Sequence, residues 1–184
     1  MRITEVLRKE IAVSKPVERL LFIVFFAFLT FASAMIRIPL GFTPVPLTLQ
    51  TLVVFFAVYY LRPGETGISQ SIYVFAGMIG APVFAAGLAG GLAFVGPTAG
   101  YLAGFIVAGV LMSAVINKIS KLTFVKALAV FAAGGVLILA LGTIHLHLVY
   151  KMPLAAAIAA GFMPFMAVET AKALIAASFF KVKK

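Results

Sequence analysis

The residues FVKALAVFAAGGVLILALGTIHLHLV (124–149) decide the fold, because they form an almost unbroken apolar run. A helix of this length would span about 39 Å, more than the roughly 30 Å of a bilayer's hydrocarbon core. Five further apolar runs lie at about 19–36, 46–62, 68–88, 99–117 and 154–180, and the run at 46–62 is the weakest. The sequence therefore predicts an all-α integral membrane bundle of six transmembrane helices.

The composition suits lipid rather than water as the solvent. Of the 184 residues, 64% are apolar and only 11% are charged, whereas about a quarter of the residues in soluble domains are charged. Six helices use the whole length, so we expect a single transmembrane domain over 1–184. The net charge of +10 comes from residues at the ends of the runs, which argues against nucleic-acid binding. The chain has no cysteine, which excludes disulfides and thiolate metal sites.

Lysine and arginine are unevenly distributed between the two ends of the runs. With a cytoplasmic N-terminus, twelve of the 15 fall inside, Arg37 and Lys151 fall outside, and Lys172 lies within a run. The positive-inside rule then predicts a multi-pass protein of the cell (plasma) membrane with both termini cytoplasmic.

The N-terminal part of the chain leaves alternatives open. Residues 1–18 predict a cytoplasmic amphipathic segment on the membrane surface, or a solvated tail. The first run, followed by Ala32-Ser33-Ala34, also has the form of a signal peptide, but we expect a retained helix.

Two connecting segments on the predicted outer side, around 37–47 and 82–98, are rich in glycine and proline. Irregular backbone is tolerated at membrane depth only where it is buried in protein or lines a cavity. We therefore expect these segments to form walls or lids of an outward-facing pocket, with ordinary surface loops as the alternative.

Glu169 and Lys172 interrupt the apolar stretch MAVETAKALIAASFF (166–180). An ionised side chain near mid-membrane costs at least about 2.5 to 3.5 kcal/mol on insertion scales. The two residues are three apart and share one helical face, where they can pair. The pattern alone leaves two interpretations open, a structural ion pair and a pair that contacts a ligand.

Three separated motifs resemble the BioY family. They are IRIPLGFTPVPLTLQTL (36–52), GMIGAPVFAAGLAGGLAFVGPTAGYLAGF (77–105) and PFMAVETAKA (164–173). The resemblance covers most of the chain and implies a biotin-binding S component of an energy-coupling factor (ECF) transporter. It implies six transmembrane helices, a biotin pocket near the external side, no catalysis by this chain and no cofactor.

The resemblance also implies partners. Uptake in such systems is driven by two ATPase subunits, coupled through a transmembrane coupling (T) subunit, while the S component reorients in the membrane to deliver its ligand inward. The chain has no G-x-x-x-x-G-K-[ST] motif, so it is not itself the ATPase.

The sequence departs from the family pattern at two places. The family's proline-glycine-aspartate before the last motif's lysine appears here as Ala167, Val168 and Glu169, which keeps the carboxylate but moves it one methylene farther out. The family's second glycine in a GPTGGY-like motif is Ala99 here. Both departures concern the shape of the pocket rather than the class of ligand.

With the resemblance, Glu169 and Lys172 become the candidate contacts for the cyclic urea of biotin, a carboxylate for its N–H donors and an ammonium for its oxygen or for the ligand's carboxylate. The other candidate substrate-binding residues come from the remaining motifs: Gln50, Phe84, Gly90, Gly91, Thr98 and Tyr101. Each has an ordinary structural alternative, such as a loop hydrogen bond for Gln50, a helix cap for Thr98, interface anchoring for Tyr101 and core packing for Phe84. Arg37 is expected either to meet the ligand carboxylate or to extend to the interface.

The first run offers Ala27, Thr30 and Ala34 as a stripe of small residues. Such a stripe permits close helix packing in lipid, either for docking the coupling subunit or for packing within the bundle.

His145 and His147 point to different faces of a helix, so we expect polar contacts and no metal site. The alternatives to biotin capture are an S component for another small vitamin and a membrane-embedded enzyme that uses Glu169.

Overall fold

The computed structural model describes residues 14–85, 89–91 and 95–179. Within them the chain folds as an all-helical bundle with one two-stranded antiparallel hairpin. The elements are α1 (Lys15–Met35), β1 (Arg37–Ile38), β2 (Leu47–Thr48), α2 (Gln50–Tyr60), α3 (Pro63–Met78), α4 (Ala99–Lys118), α5 (Phe124–Leu148), α6 (Leu154–Gly161) and α7 (Met163–Phe179). The bundle has six elements, which we call legs: the helices α1 to α5 form one leg each, and α6 and α7 together form the sixth, which is broken in the middle. The six-helix membrane bundle is therefore confirmed.

Four of the six legs are long and apolar enough to cross a membrane by themselves: α1, α4, α5 and the combined leg Leu154–Phe179. The helix α2 is apolar but shorter, and α3 is 16 residues long.

Side chains near the N-termini of two helices form capping hydrogen bonds. The Glu65 carboxylate accepts a hydrogen bond from the Arg62 N–H at 2.9 Å at the start of α3, and Thr123 Oγ1 accepts one from the Lys126 N–H at 3.4 Å at the start of α5.

The helix α2 begins later than the predicted run at 46–62, because the residues before it form the hairpin. Arg37 lies opposite Thr48 in the register of β1 and β2. With 11 residues, α2 is about 16 Å long at 1.5 Å per residue, roughly half the hydrocarbon core. Its first residues, Gln50 and Thr51, are consequently buried inside the bundle rather than placed at a membrane surface.

The helix α3 ends at Met78, whereas the apolar run predicted a helix to residue 88. The chain turns at Gly80, whose φ of +105° is a left-handed value that favours glycine. The loop then returns to the end of α3, where the Gly90 N–H donates a hydrogen bond to Gly77 O at 2.7 Å. The third predicted helix was therefore too long, and a loop packed on the end of α3 takes the place of its last turns.

The sixth leg is broken between Gly161 and Met163, whereas a continuous helix over 154–180 was predicted. Phe162 stays in the right-handed helical region, but its φ of −119° lies far from the usual helical value of about −63°, with ψ at −61°. Pro164 follows in the first turn of α7, where its missing N–H is tolerated, whereas within a continuous helix it would remove a hydrogen bond and clash with the preceding turn. The proline therefore explains why one helix ends here and a new helix begins.

The central helices α4 and α5 approach each other closely because glycines line their contact. A Cβ at Gly104 would lie 3.1 Å from Ile138 Cα, so a larger residue would push the two helices apart. Two turns earlier in α5, the rings of Phe55 and Phe131 stack at a centroid distance of 5.2 Å. The main core cluster draws buried residues from each of the helices α1 to α7, and α4 packs against both α3 and α5.

The two ends of the bundle differ in charge. The described basic residues at the end formed by the α2–α3 and α4–α5 connections are Lys15, Arg19, Arg62, Lys118, Lys121 and Lys126. The opposite end, formed by residues 36–49, 79–85, 89–91, 95–98 and 149–153, carries Arg37 and Lys151. Most of the predicted amphipathic segment 1–18 and the last three lysines lie outside the described residues, while Lys15 to Glu18 belong to α1.

Candidate ligand-binding site

A cavity opens at the less basic end of the bundle and contains about 570 Å³ of empty space, part of it open to the outside. Every leg except α1 contributes lining residues, and both outer loops contribute as well. The described residues that line it are Val45, Pro46, Leu47, Thr48, Gln50, Thr51, Tyr73, Phe84, Ala85, Thr98, Tyr101, Leu102, Phe105, Ile138, Leu139, Phe165, Glu169 and Lys172.

Three buried polar side chains form a hydrogen-bonded triad in this cavity. Lys172 Nζ donates to Glu169 Oε1 at 2.6 Å and to Thr51 Oγ1 at 2.6 Å. The Thr51 hydroxyl donates in turn to Glu169 Oε1 at 2.8 Å. All three residues are at most 7% exposed. The predicted ion pair between Glu169 and Lys172 is confirmed, and Thr51 joins it from α2.

The triad does not use all of its hydrogen-bonding capacity. An ammonium has three donors, and Lys172 spends two of them on Thr51 and Glu169. Glu169 Oε2 is buried and has no hydrogen-bond partner among the described residues. A buried acceptor left without a partner costs about 1–3 kcal/mol or more when it is charged. The triad therefore keeps one donor and one acceptor without a partner among the described residues, beside the cavity that Glu169 and Lys172 line.

A second polar group lies where β2 meets α2. The Thr48 hydroxyl donates to Gln50 Oε1 at 3.0 Å, and Gln50 Nε2 donates to the Tyr73 hydroxyl oxygen at 2.7 Å. Gln50 lines the cavity as predicted, but both ends of its amide bond to protein groups. The ring of Tyr73 packs edge-on against Phe84 with centroids 5.6 Å apart. This group fixes the outer loops against α3.

The rest of the cavity wall is apolar. Phe84 is 1% exposed and lines the cavity, which agrees with its predicted position. Phe105 of α4, Ile138 and Leu139 of α5, and Phe165 of α7 complete the wall and are also buried. A cavity of this kind suits a ligand with one polar end and a larger apolar part.

Tyr101 and Thr98 also line the cavity. The Tyr101 hydroxyl donates its proton to Gly161 O at 2.7 Å, which ties it to the broken sixth leg and leaves its oxygen able to accept. Thr98 is the N-cap residue of α4 but makes no side-chain capping hydrogen bond. Its backbone oxygen instead accepts from the N–H groups of Tyr101 and Leu102.

Three residues considered for ligand contact lie away from the cavity wall. Gly90 and Gly91 are not among its lining residues, because Gly90 is held on the end of α3 by its hydrogen bond to Gly77. The structure therefore does not bring the two glycines to the site. Arg37 is exposed on β1 and lines a neighbouring outer hollow, which shares Pro46, Ala85 and Thr98 with the cavity.

The small-residue stripe of α1 faces inward. Ala27, Thr30 and Ala34 are at most 5% exposed. Gln70 Nε2 of α3 donates to Thr30 Oγ1 at 3.3 Å. These side chains therefore pack against the chain's own helices in this structure, which is the second of the two alternatives considered for the stripe.

The two histidines make polar contacts with loop backbone. His145 Nε2 lies 2.9 Å from Gly96 O, and His147 Nδ1 lies 2.9 Å from Met152 O. Each contact joins α5 to a connecting segment at the end of the bundle where the cavity opens. No group of three or more metal-ligating side chains occurs in the described part of the chain.

Thr48, Thr51 and Tyr73 are the polar site residues that the sequence analysis missed. Thr51 directly follows Gln50 in the motif PLTLQT, so its place at the start of an apolar helix was the available signal. Tyr73 is a polar aromatic residue within an apolar run, but no spacing rule connects it to Gln50, which is 23 residues away.

These features define a class first: a helical membrane protein with a buried polar triad in a cavity that opens at one end. Comparison with solved structures supports the fold. The chain superposes with a TM-score of 0.81 on a crystal structure of the S-component for biotin from an ECF-type ABC transporter. The match has 24% sequence identity and covers 91% of this chain and 92% of that chain.

The BioY family model matches residues 6–183, and the chain belongs to the BioY family. It is 39% identical to the biotin transporter BioY of Thermotoga maritima, over 83% of this chain and 87% of that protein. It is 36% identical to the biotin transporter BioY2 of Lactococcus lactis, over 78% of each chain. The biotin transporter BioY of Rhizobium etli is 34% identical, over 76% of this chain and 78% of that protein.

Proposed function

We propose that this chain binds biotin in the cavity and acts as the substrate-capture subunit of an ECF-type vitamin transporter. Membership of the BioY family and the names of the relatives support biotin as the ligand. The same relatives are named as transporters, so the comparisons offer no support for an enzyme that uses Glu169.

The observation that best supports the proposal is the unused hydrogen-bonding capacity of the buried triad formed by Thr51, Glu169 and Lys172. Glu169 Oε2 is an acceptor without a partner among the described residues, and Lys172 has one proton left. One edge of a cyclic urea offers the complement, an N–H donor beside a carbonyl acceptor. Binding that edge would satisfy both groups in a buried part of the cavity, where hydrogen bonds to charged groups are stronger than in water.

The apolar wall fits the remainder of the ligand. Phe84, Phe105 and Phe165 would cover the apolar sulfur-containing ring and the aliphatic chain of biotin, which have little to offer a polar site. A ligand with a polar group in place of these parts would leave that group unpaired, and such a mismatch is strongly rejected in a buried site. The same wall therefore contributes to selectivity.

We assign the cavity mouth to the outer face of the cell membrane and both termini to the cytoplasm. The support is the uneven distribution of lysine and arginine between the two ends of the bundle. The chain contains no cysteine, so single cysteines at Gly41 and Lys121 report on the two ends separately. In intact cells an impermeant maleimide should label the first and not the second, and the reverse pattern would invert the assignment.

The proposal also includes partners. The sequence has no P-loop motif, so ATP hydrolysis is assigned to two ATPase subunits, coupled through a transmembrane subunit. Delivery of biotin inward would follow from reorientation of the whole chain in the membrane. Co-purification of the chain with a coupling subunit and ATPases, and its loss in a strain lacking the coupling subunit, tests this part.

The central experiment is equilibrium binding of labelled biotin to the purified chain. We expect saturable binding by the native protein and at least about a tenfold loss for Glu169→Gln and for Lys172→Met, because each change removes a charge-assisted hydrogen bond. Glu18→Gln and Lys118→Met are matched controls at exposed positions on the opposite end of the bundle. Absence of saturable biotin binding by native protein would refute the proposed function.

A further inference from the structure

Thr51 is the side chain through which a second helix reaches the ion pair. Glu169 and Lys172 both belong to α7, three residues apart, and would share one helix face in any case. Thr51 comes from the first turn of α2, and it is 118 residues from Glu169 in sequence. Its hydroxyl both accepts from Lys172 Nζ and donates to Glu169 Oε1.

The two hydrogen bonds of the Thr51 hydroxyl determine which atoms of the pair remain available. By donating to Oε1, the hydroxyl joins Lys172 in occupying one carboxylate oxygen and leaves Oε2 without a partner among the described residues. By accepting from Nζ, it takes up a second ammonium proton and leaves one. Without the hydroxyl, Lys172 would keep two protons without partners, and the pair would be held only by its own helix.

The position of Thr51 is itself well fixed. It lies in the first turn of α2, directly after Gln50, whose amide bonds to Thr48 and Tyr73. Thr51 is 6% exposed, and the ring of Phe55, one turn later in α2, stacks on Phe131. A rigidly held hydroxyl can orient two flexible side chains at the moment of binding, which reduces the ordering cost of the complex.

We propose that Thr51 is a positioning residue that makes the site selective for a urea. Its hydroxyl holds Lys172 and Glu169 so that one ammonium proton meets the urea oxygen while Oε2 receives the neighbouring N–H. This inference rests on the proposed function, because it presupposes that biotin occupies the cavity. The inference adds a residue of α2 to the recognition of the ligand. Thr51 would act on the urea group, through Lys172 and Glu169, and not on the apolar part of the ligand.

The experiment compares three ligands on four proteins. The proteins are the native chain, Thr51→Val, which keeps the shape without the hydroxyl, Thr51→Ser, which keeps the hydroxyl, and Thr51→Ala, a second variant without it. The ligands are biotin, desthiobiotin, which retains the urea but lacks sulfur, and 2-iminobiotin, in which an imino nitrogen replaces the urea oxygen. Dissociation constants and the thermal midpoint of each ligand-free protein are measured in one detergent.

We expect Thr51→Val and Thr51→Ala to bind biotin and desthiobiotin about tenfold to a hundredfold more weakly, with the affinity ratio of biotin to 2-iminobiotin falling at least about fivefold. Thr51→Ser should stay within about threefold of native. An equal loss for all three ligands indicates a merely structural role and overturns the inference, as does a serine variant that binds as weakly as valine. If native protein binds none of the ligands, the proposed function fails and the inference fails with it.

Discussion

Replacing Gly142 with alanine should weaken ligand binding, although Gly142 does not line the cavity. A Cβ at this position of α5 would overlap three ring atoms of Tyr101. The ring has little freedom to move away, because the Tyr101 hydroxyl is tied to Gly161 O at 2.7 Å. The open space beside the ring is the cavity itself. The substitution is therefore expected to push the ring toward the ligand.

The magnitude follows from two opposing effects. Overpacking a well-packed core costs about 1–3 kcal/mol, whereas an alanine in a helix gains up to about 1 kcal/mol over glycine. Gly64→Ala in α3 is the matched control, because a Cβ there has no atom within 4 Å. The control should be neutral or stabilising, and the difference between the two substitutions should be about 1–3 kcal/mol of unfolding free energy, with biotin affinity lowered only by Gly142→Ala.

A double-mutant cycle identifies the cause. Tyr101→Leu removes the ring atoms that the new methyl group would meet, so Gly142→Ala should cost little in that background, with a coupling energy of about 1–2 kcal/mol. Unfolding by denaturant and binding of labelled biotin are measured for all four proteins. If Gly142→Ala destabilises the Tyr101→Leu background as much as the native one, the proposed clash is not the cause and the reasoning is refuted.

Two further predictions concern other parts of the bundle. Arg37→Gln should slow biotin association and flatten its dependence on salt, because a cation beside the cavity mouth attracts an anionic ligand; Lys151→Gln, at the same end, is the control, and an unchanged salt dependence would contradict the role of Arg37. Thr30→Val should destabilise the fold by about 1–3 kcal/mol, because it leaves the buried Gln70 amide without its hydroxyl partner. Adding Gln70→Leu should recover part of that loss in denaturant unfolding, and strictly additive costs would disprove the pairing.

The long helices were predictable because their signals are local. The run at 124–149 agrees with α5 (Phe124–Leu148), and the run at 99–117 agrees with α4 (Ala99–Lys118), to within a residue at each end. The ends of α2 and α3 and the break in the sixth leg were not predictable to the same degree. They depend on contacts between distant segments, such as the pairing of Arg37 with Thr48 and the hydrogen bond from Gly90 to Gly77.

In the candidate site, too, some residues were predictable from local spacing and others depend on contacts between distant segments. Glu169 and Lys172 are three residues apart, so the helix period alone places them together. Thr51 joins them through packing between α2 and α7, which no spacing in the sequence reveals. The stripe that includes Ala27 shows the converse difficulty, because small residues look alike in sequence whether they face a partner or the chain's own helices. Exposure in the folded structure distinguishes the two cases.

The pairing of Glu169 with Lys172 also has an electrical consequence. A single charge displaced across a membrane gains or loses about 2.3 kcal/mol for every 100 mV of membrane potential. The salt bridge carries no net charge, so moving it along the membrane normal requires almost no electrical work. If the chain reorients during transport as proposed, the carboxylate of the bound biotin is the charge at this site that would respond to the potential. This site would then add to the voltage dependence of reorientation only when the cavity is occupied.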